Sequence, residues 1–144
     1  MIGYKKTGCY YPMAGKREEK MAGQADIALC FTPATELARM IREKEVSPVG
    51  VVETFLKRIE EVNPRVNAFC TLTAETAKEE AKRAEKAVMN GEPLGPLHGV
   101  PFSIKDLIYT KGVKTMRGSK IYENFMPAED APLVNKKKNA GGIM

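Results

Sequence analysis

The apolar residues of this chain change period once, and that change limits the folds open to it. Upstream of Gly95-Pro96 they recur at steps of three and four. Downstream, in "PLHGVPFSIKDLIYTKG" (96–112), Val100, Phe102 and Ile104 recur at steps of two. A period near 3.6 lays a stripe along a helix, and a period of two puts alternate residues on one face of a strand. The chain is therefore expected to be α/β, with its helices first and a strand near 99–105. At 144 residues it is long enough for one domain with a real core.

The helical half carries start and stop signals. Thr32 before Pro33 reads as a cap followed by a proline at the first helical position, where a missing N–H costs nothing. Leu37, Met40 and Ile41 then predict a helix near 33–44. Ser47-Pro48 repeats the signal, and Val52, Phe55, Leu56 and Ile59 predict a second helix near 48–62. It should end before Asn63-Pro64, because the residue preceding a proline is pushed out of the α region. "VNAFCTL" (66–72) reads as a short extended segment. Thr73 then caps a helix near 74–89, in which Ala74, Ala77, Ala81, Ala84 and Val88 form a shallow seam and Asn90-Gly91 supplies the stop. After the strand, Asp130 is the expected cap of a last helix whose apolar face fades at Lys136, Lys137 and Lys138. "AGGIM" reads as an incoming strand. All these stripes describe a core rather than a site.

Charge excludes some functions once it is located. The net charge of +5 comes from the ends. Residues 1–25 hold five Lys/Arg against two Glu, and the lysine run 136–138 adds three, leaving 15 basic against 16 acidic residues. No basic stripe of the kind nucleic acid requires is left, so nucleic-acid binding is not expected. Residues 1–25 read as a disordered basic leader, with Met21 as an alternative start to Met1. They lack the apolar run of a signal peptide, and no stretch approaches a membrane span. Cys9, Cys30 and Cys70 are scattered without a CxxC pair, which favours reduced thiols and a cytoplasmic location. His98, the single histidine, cannot build a His-based metal site alone.

Lys105 stands where the apolar strand ends. Partial desolvation there would disfavour its ammonium form, and a lysine able to lose its proton can serve a hydroxyl nucleophile as general base. Alternatively its methylenes cover the strand end while the ammonium reaches water. Spacing alone leaves both readings open and favours the second.

The surrounding residues bear on that choice. Gly99-Val100-Pro101, Ile104-Lys105-Asp106, Lys111-Gly112-Val113-Lys114-Thr115, Gly118-Ser119 and Asp130-Ala131 occur in the order found in the amidase signature family. "SPVGVVETFLKRIEEVNPRVNAF" (47–69) likewise resembles that family's second helix and the turn after it. The resemblance runs from Thr32 to Ile143, and leans toward general acyl amidases over the A subunit of the tRNA-dependent amidotransferase. It implies the amino-terminal part of the amidase signature fold, with helices packed on a mixed sheet, so that residues 26–144 form a partial amidase domain. It also implies a catalytic set of a serine, a second serine in a cis peptide, and a lysine, which here is Lys105. The implied partner is a small amide substrate, with no metal and no organic cofactor.

The resemblance is incomplete. No Gly-Ser-Ser-Gly-Gly run occurs in these residues, and Ser103 and Ser119 do not match the nucleophile positions. Each missing oxyanion donor costs about 3 kcal/mol of transition-state stabilisation, and the covalent route vanishes without the nucleophile. The chain is therefore expected to be the amino-terminal part of an amidase, inactive alone. Lys137 stands where family members keep an apolar residue, removing about 1.5–3 kcal/mol of burial. A strand without neighbours exposes an edge, so marginal stability or self-association is expected in the absence of the carboxy-terminal portion. A non-catalytic binding module and a complementing fragment of a split amidase are the alternative readings.

Overall fold

The computed structural model describes residues 27–144. The leader expected at 1–25, with Cys9 and Met21, lies outside the described residues. Four helices follow in order: α1, Ala34–Arg42; α2, Pro48–Val66; α3, Ala74–Asn90; and α4, Pro132–Asn139. A 3-10 turn at Lys120–Tyr122 precedes α4, and residues 27–30 are also helical.

The cap of α1 is Pro33, not Thr32. Thr32 lies one residue before the cap, and its hydroxyl donates back to the carbonyl of Ala28, at 3.2 Å. The helix buries Leu37, Ala38 and Ile41 and stops where Lys44 takes a φ of 60°. Ser47 does cap α2, accepting from the amide of Gly50 at 2.9 Å, with Pro48 at the start. Inside, α2 buries Val51 and Val52 rather than the whole Val52–Ile59 stripe, and Phe55 and Leu56 stay half-buried.

α2 continues through Asn63-Pro64 to Val66, four residues beyond the expected end. Pro64 forfeits one bond, to the carbonyl of Glu60, an exposed residue close enough to the helix end for water to replace the loss. The turn beyond is held by Asn63, whose amide donates to the carbonyl of Phe69 at 3.2 Å and whose oxygen accepts from the Phe69 amide at 2.9 Å. Asn67, at φ 48°, then closes the helix. Val66 thus ends the helix and residues 67–72 are a clamped loop, so the extended segment expected at 66–72 is not formed.

Two core clusters result. The first joins Leu29, Leu37, Ala38, Ile41, Val46, Val51, Val88 and Val100. The second joins Val52, Ala77, Ala81, Ala84 and Ile143, where the alanine seam of α3 lets α2 approach closely. Burial of each leucine, isoleucine or valine among these stabilises the fold by about 1.5–3 kcal/mol, and of each alanine methyl by less.

The described residues show no mixed sheet. Among the described residues there is no strand, and the segment expected at 99–105 makes one parallel bridge, Pro101 with Ile143. Around it, the amides of Leu97 and Gly99 donate to the carbonyls of Ala140 and Gly141, each at 2.9 Å. Ile143 donates to Val100 at 2.9 Å, and Phe102 to Ile143 at 2.8 Å. The two segments thus run side by side, but only for a few residues, and parallel pairing needs neighbours to extend. The period of two survives in exposure: Ser103, Lys105, Leu107 and Tyr109 are exposed, while Phe102, Ile104, Asp106 and Ile108 are half-buried. Close approach at this crossing depends on glycine. A Cβ on Gly95 would lie 2.4 Å from the Ala140 carbonyl oxygen, and one on Gly141 2.9 Å from His98.

Asp130 does not cap α4. Ala131 occupies the cap position without a side-chain bond, and only Val134 of the helix is fully buried. Lys137 is half-buried with its ammonium 5.0 Å from the centre of the Phe102 ring, so this position still faces the 97–102 segment despite its charge.

Candidate active site

The segment from Lys105 to Gly118 forms the lip of a groove of about 980 Å³. Its floor comes from α2, through Phe55, Leu56 and Ile59, and its other walls include Phe69, Phe102 and Ile143. Apolar walls with few polar groups suit the acyl or carbon skeleton of a small ligand.

Lys105 is exposed at this lip. The shelter expected at the strand end is absent among the described residues, because no ladder partner covers the backbone beyond Phe102. The backbone reverses directly after the lysine, whose carbonyl accepts from the amides of Leu107 at 2.7 Å and Ile108 at 3.0 Å. Asp106 makes no ion pair with Lys105 among the described residues. Its carboxylate instead accepts from the amide of Met116 at 2.8 Å.

A second carboxylate fixes the far side of the lip. Asp130 accepts from the amide of Lys111 at 2.7 Å and from the Lys138 ammonium at 2.8 Å. Burial pushes its carboxyl up, but the bonds from Lys138 and Lys111 outweigh this and hold it below the ordinary carboxylate range. The adjacent Ala131 amide donates to the carbonyl of Tyr109 at 2.8 Å, so α4 and the lip are joined at neighbouring residues. Tyr109 and Tyr122 pack on Phe125, with ring centres 5.3 and 5.9 Å from its own, and the Arg117 guanidinium lies over both tyrosines.

Neither serine near the lip is set up as a nucleophile. Ser119 accepts from the amide of Ile121 at 3.3 Å and caps the 3-10 turn. Ser103 is exposed beside Lys105, with no His–carboxylate pair behind it, since the His98 ring bonds the carbonyl of Ala84 at 2.9 Å. Among the described residues no group of three or more His, Cys, Asp or Glu could hold a metal, and no helix is long and apolar enough to cross a membrane.

Sequence reasoning singled out Lys105 but missed the two aspartates that brace its surroundings. Both lie in stretches already recognised, Lys105-Asp106 and Asp130-Ala131, yet their bonds go to residues 10 and 19 positions away, which spacing does not show. One signal was available: Gly118 is a turn glycine and takes a φ of 67°, although Arg117 before it gives no sign of its own positive φ.

The family model for amidase matches residues 50–144. Among curated relatives, the chain is 43% identical over 111 residues to the A subunit of the glutamyl-tRNA(Gln) amidotransferase of Heliobacterium modesticaldum, covering 77% of this chain and 23% of that protein. It is 42% identical over 116 residues to the corresponding protein of Bdellovibrio bacteriovorus, covering 81% and 24%. Among solved structures, a bacterial aryl acylamidase of the amidase signature family superposes with a TM-score of 0.74 at 28% identity, covering 78% of this chain and 24% of that one. An s-triazine-related vestigial complex gives a TM-score of 0.74 at 34% identity, covering 78% and 25%. The chain thus spans about a quarter of the length of these proteins. These identities do not carry the lean toward acyl amidases suggested by the motifs.

Proposed function

This chain belongs to the amidase family, and on that premise we propose that it supplies the lysine block of an amide hydrolase, with Lys105 as the proton acceptor. The observation that carries the reading is the placement of Lys105. It stands at the mouth of an apolar groove, on a turn fixed by two backbone bonds, with its amine accessible. In the reaction a serine hydroxyl attacks the amide carbonyl, and its proton passes through the cis serine to the neutral Lys105 amine. The resulting ammonium returns the proton to the leaving amine as the carbon–nitrogen bond breaks, and water releases the acyl group by the same route. Both serines and the oxyanion donors come from outside these 144 residues. The substrate is a small amide, no metal or organic cofactor takes part, and the cytoplasm, with reduced Cys30 and Cys70, is the setting.

Two experiments test this. A serine-directed fluorophosphonate should leave the isolated chain unlabelled, and stoichiometric labelling would show a nucleophile within it. A chimera in which residues 32–143 replace the matching segment of the Heliobacterium modesticaldum protein should hydrolyse its amide substrate. There, Lys105→Ala should lower kcat/KM by about 10²–10⁴, the usual contribution of a positioned acid/base.

The open groove and the short parallel bridge favour one companion reading, that the chain is a complementing piece of a split amidase. Mixing it with the remainder of the chimeric parent should restore amide hydrolysis, and persistent inactivity counts against it.

A further inference from the structure

We infer that Asp106 is a positioning residue for this site, locking the turn that carries Lys105 against the turn Met116–Ser119. The inference deepens the reading of Lys105 as proton acceptor and rests on it.

Two tight turns meet here. The first reverses the chain after Lys105, with the Leu107 and Ile108 amides donating to the lysine carbonyl at 2.7 and 3.0 Å. In the second, the Ser119 amide donates to the Met116 carbonyl at 3.0 Å, and Arg117 and Gly118 take φ of 55° and 67°. Two consecutive positive φ values mark the mirror-image β-turn, a stiff reversal that an arginine resists adopting. Arg117 is kept there by its guanidinium, 5.1 Å from the Tyr122 ring centre and 5.7 Å from that of Tyr109.

Asp106 joins the two turns twice. Its carboxylate accepts from the Met116 amide at 2.8 Å, and its own carbonyl accepts from the Arg117 amide at 2.9 Å. Asp106 lines the groove, but its carboxylate is engaged by the Met116 amide, so it acts through the backbone of its neighbour. That matters because lysine reaches its target along a flexible four-carbon stem. Fixing the base of the stem limits where the amine can go, and a misplacement of about 1 Å at a reacting group can cost about 100-fold in rate. The required property is a hydrogen-bond acceptor at one point. Asn keeps that acceptor, Glu moves it by a methylene, and Ala removes it.

The test has two arms. In the chimera described above, Asp106→Ala and Asp106→Glu should each lower kcat by about 10–100-fold with KM within about twofold, while Asp106→Asn stays within about threefold of the parent. Retention of parental kcat by the Ala and Glu variants, where Lys105→Ala has lost activity, overturns the positioning role and leaves the lysine reading standing. An Asn variant as impaired as Ala overturns it too. Full activity of Lys105→Ala removes the premise itself. The second arm needs no activity: in the intact 144-residue chain, deuterium exchange at the Met116 amide should speed about tenfold or more in Asp106→Ala and Asp106→Glu, and hold in Asp106→Asn, with the Ile41 amide as internal reference. Unchanged Met116 exchange in the Ala and Glu variants contradicts the inference.

Discussion

Asp130 shows how one side chain sets a pH dependence. Its carboxylate is 10% exposed and binds the Lys138 ammonium, itself 32% exposed, as well as the Lys111 amide. A carboxyl held below its unfolded value near 3.8 contributes stability that is present above that pH and lost as pH falls through the lowered folded value. Asp130→Asn should therefore destabilise the chain by about 1 kcal/mol at pH 7, and the gap to the parent should close on acidification below about pH 4. Urea midpoints at pH 7 and pH 3 measure this, and a gap that is independent of pH contradicts it. Gly95 makes a steric counterpart. Gly95→Ala forces a Cβ to within 2.4 Å of the Ala140 carbonyl oxygen, a backbone atom that cannot step aside. The 97–102 and 140–143 segments should separate, with faster amide exchange at Leu97 and Gly99, and unchanged exchange there contradicts the account.

At the scale of elements, the least expected feature is the end of α2. Its passage through Pro64 depends on Asn63 holding the Phe69 backbone at both its amide and its carbonyl. Asn63→Ala should cost about 1–2 kcal/mol and expose the Phe69 amide to exchange, whereas Asn67→Gly, at a positive φ, should be nearly neutral or slightly stabilising. Thermal unfolding of the two variants tests the contrast. The three main helices were legible in the sequence because a helix satisfies its own backbone, so Leu37, Ile41, Val52 and Ala81 could announce it locally. Ser47 was legible for the same reason. The strand was not, although Val100, Phe102 and Ile104 kept their alternation. A strand exists only where another segment bonds to it, and residues 140–143 offer a partner for only a few positions. Thr32 was misread as a cap because it lies one residue before the cap, and Asp130 because its oxygens had competing partners, the amide of Lys111 and the Lys138 ammonium. At the candidate site, the motif singles out the lysine, but it does not show the aspartate braces. Their bonds depend on turns that bring distant amides within reach.

For the whole molecule, the groove beside Lys105 and the short parallel bridge leave apolar surface and backbone groups without cover among the described residues. Leu107, Ile121 and Met126 are 46%, 88% and 61% exposed on the same segment. Such surface promotes association, so the isolated chain should sediment as a concentration-dependent mixture, shifting toward larger species between about 5 and 200 μM. A monomer across that range contradicts this. The same openness leaves Lys105 exposed, with the turn after it fixed by the chain's own backbone bonds. The most direct test of its role as proton acceptor is kcat/KM for Lys105→Arg in the chimeric enzyme. Arginine keeps the positive charge and the length but cannot give up its proton. The account predicts activity as low as that of Lys105→Ala, and an arginine variant within a few-fold of the parent contradicts it.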